Sequence, residues 1–108
     1  VPVGPSLKEI IVKVPAADPP NTKYGYSTFN TTVLVWIVEK VTGKPWNQVV
    51  SDRIWKKAGM GNDALVALSP SSEMLGGGIF AGTLRDFMRY GLLYTPSWKK
   101  VAKERVVP

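Results

Sequence analysis

Apolar residues recur at helical spacing in three stretches of this chain, each opened by a polar or proline residue and closed by a breaker. Over Phe29–Thr42 the positions Val33, Leu34, Ile37, Val38 and Val41 fall on one helix face, and Gly43 stands ready as a left-handed cap. The β-branched run in this stretch lowers its local propensity, so packing must hold the helix. A second helix is predicted over Pro45–Lys57, with Pro45 in its first turn and Trp46, Val49, Val50 and Ile54 buried. Gly59-Met-Gly61 ends it. A third helix starts after the cap Thr83, carries Asp86 near its positive end and runs to about Leu93. Its buried face is Leu84, Phe87, Met88, Gly91 and Leu92.

Shorter elements join these three. Val1–Pro5 is extended, because Pro2 and Pro5 force it. Ser6-Leu-Lys-Glu9 has the capping-box pattern and predicts a helix over Leu7–Val14 that buries Leu7, Ile10, Ile11 and Val14. Pro15 ends it, and Ala16–Lys23 is a loop. Ala64–Leu68 predicts a strand or extended segment, Ser69–Ser72 a loop, and Gly76–Gly78 a turn with unusual dihedrals. Thr95-Pro-Ser97 breaks the third helix, and a last basic helix is predicted over Trp98–Arg105. The fold class expected is mainly α with little strand.

Composition changes this picture in a few places. A chain of 108 residues suits one domain or a piece of one, and 44% hydrophobic content with four Trp, four Tyr and three Phe predicts a folded chain. With no Cys and no His, a Ser-His-Asp triad, a disulfide framework and the usual zinc site are all excluded within it. The net charge of +6 is spread along the chain without a long basic run, so solvated helix faces are expected and no nucleic-acid partner. No stretch approaches about 20 apolar residues, so no membrane span is expected. No cofactor or metal is expected either. The chain begins on Val1 without Met and is read as a segment of a longer protein; no targeting signal is visible in it.

Candidate chemistry gathers at Tyr24–Asn30. Tyr26 sits at the mouth of the Phe29–Thr42 helix with Ser27 and Thr28 beside it. A phenol so placed serves as a proton carrier, or as an aromatic whose hydroxyl merely finds a partner. Ser27 and Thr28 also suit turn and cap roles. Asn30 is open between helix-end hydrogen bonding and structure, and Glu39 between solvent and helix pairing. Gly76–Gly78 either lines a cleft or forms a structural turn. Trp36, Trp46, Trp55 and Trp98 read as core or half-buried residues.

The string Tyr26-Ser27-Thr28, then Asn30, Leu34, Ile37, Glu39 and Thr42-Gly43, resembles the second catalytic motif of the serine β-lactamase and penicillin-binding-protein superfamily with its following helix. Gly59-Met60, the run Gly76-Gly77-Gly78-Ile79, and Thr83-Leu84-Arg85-Asp86-Phe87 with Arg89 and Gly91 resemble later parts of the same family, in order, over residues 19–93. The class C-like branch, with its esterases and 6-aminohexanoate oligomer hydrolases, is the nearest in character. The resemblance implies that residues 1–108 are one interior segment of such a hydrolase domain, the helical part of an α/β (α+β) β-lactamase/transpeptidase-like fold. It implies Tyr26 as the catalytic tyrosine and Thr28, Gly77 and Gly78 as substrate-binding residues. Thr28 stands where β-lactamases usually carry an asparagine, which favours the ester or amide branch. A Ser-x-x-Lys nucleophile motif does not precede Tyr24, since Ser6 is followed by Glu9, and the later Lys-Thr-Gly or His-x-Gly strand motif is absent.

The segment alone is therefore expected to be inactive, with a small ester or amide as the substrate of the whole protein. Self-association, or pairing with the rest of the domain, is expected through uncovered apolar surface. The resemblance leaves the compartment open between exported and cytoplasmic. Ser97-Trp-Lys-Lys100 formally matches Ser-x-x-Lys, but it follows the tyrosine and reads as an N-cap serine with solvated lysines. A second reading of the whole chain is a non-enzymatic basic helical module for an anionic partner.

Overall fold

The computed structural model describes residues 4–78 and 80–108. Of the expected extended stretch Val1–Pro5, residues 1–3 lie outside these, as does Ile79 of the glycine run. In chain order the elements are α1 (Leu7–Ile11), α2 (Thr28–Thr42), α3 (Trp46–Val50) running into a π-helical turn (Ser51–Trp55), β1 (Leu65–Val66), β2 (Phe80–Ala81), α4 (Leu84–Leu92) and a 3₁₀ turn (Pro96–Lys100). The described chain is mostly helical. Its small sheet is one antiparallel pair, with Leu65 opposite Ala81 and Val66 opposite Phe80.

Local chemistry sets most helix ends. Ser6 Oγ accepts from Glu9 N–H at 3.3 Å, and a Glu9 carboxylate oxygen accepts from Ser6 N–H at 2.8 Å, so the capping box forms. The helix that follows is shorter than the expected Leu7–Val14. After Ile11 the chain tightens into i→i−3 bonds, from Lys13 N–H to Ile10 O and from Val14 N–H to Ile11 O, ahead of Pro15. Ile10 and Val14, expected inside, are exposed. Thr83 Oγ1 accepts from Asp86 N–H at 3.2 Å and opens α4. Gly43 closes α2 at φ 67°, its N–H donating to Glu39 O. Pro45 lies one residue before α3, at its cap, and not within its first turn.

The second helix does not continue as α to Lys57. Lys56 N–H reaches back five residues to Ser51 O at 3.0 Å, and Met60 N–H does the same to Trp55 O at 3.2 Å. This wider turn rotates Ile54 and Trp55 relative to a regular helix. The last helix expected over Trp98–Arg105 is absent. A 3₁₀ turn stands at Pro96–Lys100 instead, opened by Thr95, whose Oγ1 accepts from Ser97 N–H at 3.2 Å. Ser97 is thus inside the turn and is not its cap.

The core is small. Ala58, Leu93 and Ala102 are buried together, with Ile54, Met60, Trp98, Val101, Val106 and Val107 against them. Two bridging side chains from α4 tie this cluster to the turn after the π-helix. Asp86, 1% exposed, accepts from Gly61 N–H at 2.9 Å and from Asn62 N–H at 3.0 Å. Arg89 donates through Nε to Ala58 O at 2.8 Å and through Nη2 to Val101 O at 3.2 Å. Asp86 is therefore a buried tie between segments and not only a charge at a helix start. Leu84, Phe87, Met88 and Gly91 of the expected buried face are exposed instead.

The apolar face expected for α2 also differs. Leu34, Ile37 and Val41 are 61%, 52% and 80% exposed, and the residues buried are Thr32 and Val35. A helix buries whichever side other chain segments cover, and here the glycine run covers the side that holds Thr32. The Cα radius of gyration is 16.5 Å, against about 13 Å for a compact chain of this length. The uncovered faces and that dimension agree.

Candidate functional site

The glycine run lies flat on the first two turns of α2. A Cβ on Gly76 would stand 2.8 Å from Thr32 Cα and 2.9 Å from Thr31 O, both main-chain atoms that cannot swing aside. A Cβ on Gly77 would overlap the Thr28 side chain, meeting its Oγ1 at 2.8 Å. Only glycine allows this approach. Thr32 fixes the join, since its Oγ1 donates to Thr28 O at 3.0 Å and accepts from Gly76 N–H at 3.3 Å. Gly78 has φ 154°, a conformation that favours glycine, with open space where a Cβ would be.

Of the residues singled out from sequence, Thr28 and Gly77 are thus in contact, and Gly78 follows directly. Tyr26 lies two residues before Thr28, on the loop that enters α2, and is 79% exposed. It lines an open cleft of about 700 Å³ between the 15–25 loop and the first turns of α2, with Phe29, Asn30 and Lys23 among the other walls. Ser27 holds the cap position of α2 but its side chain makes no capping bond. Its hydroxyl, like the Tyr26 phenol, is not committed to a helix end. Thr31 and Thr32 were missed in the sequence, because a threonine pair within an apolar helix carries no mark of what docks on it. Glu39 resolves toward helix pairing: its carboxylate accepts from Trp46 N–H at 2.9 Å and so caps α3.

Beyond the glycine run lies a second space of two adjoining lobes, about 320 and 330 Å³. Trp46, Val50, Trp55, Val66, Met74 and Phe80 border both lobes. Gly76 and Gly78 border the first of these, so the run has one side on α2 and the other on this aromatic cleft. Phe80 meets Trp55 edge-on at 5.6 Å and Phe87 at 5.9 Å between ring centroids.

The Ser97–Lys100 pair gains nothing from the fold. Lys99 lies over the Trp98 ring at 5.7 Å, and Lys100 is exposed. Among the described residues no hydrogen bond joins Ser97 Oγ to Lys100 Nζ.

Comparison with known proteins bears on the whole arrangement. A 6-aminohexanoate-dimer hydrolase from Paenarthrobacter ureafaciens is 33% identical over 69 residues, which is 64% of this chain and 18% of that protein. The chain thus matches under a fifth of its relative's length. The sequence profile of the family described as Beta-lactamase matches residues 4–93, which include Tyr26, Thr28 and the glycine run. The chain belongs to the Beta-lactamase family, with a serine-hydrolase relationship.

Proposed function

We propose that this chain forms the tyrosine-bearing part of a serine hydrolase that cleaves an ester or amide through an acyl-enzyme. Tyr26 moves the proton between the nucleophile and the leaving group. Thr28 and the main chain of Gly77 and Gly78 contact the substrate. The serine comes from a Ser-x-x-Lys outside residues 1–108, so the 108-residue chain alone is catalytically silent. The observation that carries this reading is the contact of the glycine run with Thr28, which brings together two motifs that resemble the family's, both within the matched residues 4–93. An exposed phenol at a helix mouth has the reach such a proton transfer needs.

In the same reading the bare face of α2, with Leu34, Ile37 and Val41, pairs with a second copy or with the rest of the domain. Sedimentation equilibrium is expected to show association of the isolated chain, and a clean monomer at all concentrations would count against it. The chemistry is tested by intact mass after incubation with a fluorophosphonate serine probe. No mass shift is expected. A stoichiometric shift mapped to Ser97 would show that the chain holds its own nucleophile and overturn the assignment.

A further inference from the structure

The two-lobed aromatic cleft has a polar end that the proposed chemistry does not use. Asn47, Ser51 and Asp63 border only the lobe farther from Gly76 and Gly78. Asp63 makes no ion pair among the described residues. The chain carries 14 lysines and arginines, yet none borders either lobe. A basic protein whose cleft holds one carboxylate and no cation is set up for a positive guest. The walls between the two ends are aromatic and aliphatic, with volumes in the range of small-molecule clefts. The π-helical turn supplies Ser51 and Trp55 to the polar lobe and Ile54 to the apolar one. Such turns persist where a side chain must be re-aimed, often at binding sites.

We propose that this cleft holds an aromatic-bodied amine: the ring between Trp46, Trp55 and Phe80, the ammonium at Asp63 with Asn47 and Ser51 beside it. The opposite end of such a guest lies against Gly76 and Gly78, on the side of the run that turns away from Thr28. This binding does not rest on the proposed hydrolase function, since neither Tyr26 nor Thr28 borders the cleft.

The test uses the 108-residue chain and two probes of matched body and opposite charge, 3-phenylpropylamine and 3-phenylpropanoate. Indole N–H resonances of Trp46 and Trp55 are followed, with Trp36 and Trp98, which border neither lobe, as internal controls. The expected result is a saturable shift of Trp46 and Trp55 alone, with the amine binding at least about fivefold tighter than the carboxylate, the size of one partly exposed charge pair. Asp63→Asn removes that preference while the Trp36 and Trp98 signals stay in place, showing an intact fold. No saturable shift, equal binding of both probes, or a preference that survives in Asp63→Asn would each overturn the proposal. No nucleophile or turnover is needed, so failure here leaves the Tyr26 assignment standing, and an inert Tyr26 would leave the cleft standing.

Discussion

The turn at residues 58–62 and the loop that enters α2 treat their polar groups in opposite ways. At the first, Asp86 and Arg89, one helical turn apart on α4, accept two main-chain N–H groups and donate to two carbonyls. At the second, the Tyr26 phenol and Ser27 hydroxyl stand with no such duty, beside an open cleft. A satisfied buried network stabilises and rigidifies, while an uncommitted exposed hydroxyl contributes little to folding and remains free to react. On the proposed function, stability and chemistry are thus carried by different parts of one short chain.

The sharpest way to break that division is to remove the phenol. In a hydrolase assembled as proposed, Tyr26→Phe is expected to lower kcat by about 100- to 10,000-fold, the range of one acid–base group, and to leave Tm unchanged. An active variant, or one that loses Tm, would place Tyr26 with the structural group. Next comes Gly76→Ala. Its methyl would meet main-chain atoms of α2 at 2.8 and 2.9 Å, so a loss of about 1–3 kcal/mol is expected in urea unfolding, as for other overpacking changes. Full stability in this variant would mean that the glycine run does not sit on Thr31 and Thr32.

Arg89→Ala is expected to cost about 2 kcal/mol, because two carbonyls lose a charged donor. Asp86 offers a pH test of the same network. The Gly61 N–H above all holds its carboxyl below the ordinary 3.8, against desolvation that pushes it up, with help from Asn62 N–H, Thr83 and the Arg89 charge. A carboxyl lowered on folding adds stability above its unfolded value and loses it as pH falls through the folded value. Tm is therefore expected to hold steady above about pH 4 and to fall in more acid solution. Asp86→Asn should lower the plateau and flatten that acid limb.

Local chemistry was legible in the residues, and partnership across the chain was not. Ser6 with Glu9, Thr83 and Gly43 marked helix ends because a cap acts within four residues of itself. The spacing of Leu34, Ile37 and Val41 marked α2 as a helix but pointed to the wrong side as covered, since Thr32 and Val35 are the residues buried. The Asp86 bonds to Gly61 and Asn62 span 25 and 24 residues, and the Gly76–Thr32 bond spans 44. Nothing in the residues flanking either bond announces its partner. Tyr26, Thr28 and Gly77 were singled out through resemblance to family motifs, which did not show that Gly77 touches Thr28. The π-helical turn escaped notice because Ser51–Trp55 carries no proline or glycine to mark it.

The smallest expected effect lies at Tyr90 and Tyr94, and it separates hydrogen bonding from burial where α4 ends. Their hydroxyls are 2.7 Å apart and their rings meet edge-on at 5.3 Å. The bond to Tyr94, then burial, then the charge on Tyr94 push the Tyr90 phenol up to about 12 from its ordinary 10.0. A phenol raised on folding stabilises the fold below its unfolded value and loses that contribution as pH rises through the folded value. In an alkaline titration of tyrosinate absorbance, one of the four tyrosines should therefore lag the rest. Tyr94→Phe removes the hydrogen-bond partner and leaves the ring packing, so the lag should shrink while a remnant from burial persists. The stability change should stay below about 1 kcal/mol, since Tyr94, whose hydroxyl is removed, is 61% exposed. An undiminished lag in Tyr94→Phe would mean that burial alone raises Tyr90, which borders the apolar lobe of the cleft, in contrast to the exposed Tyr26.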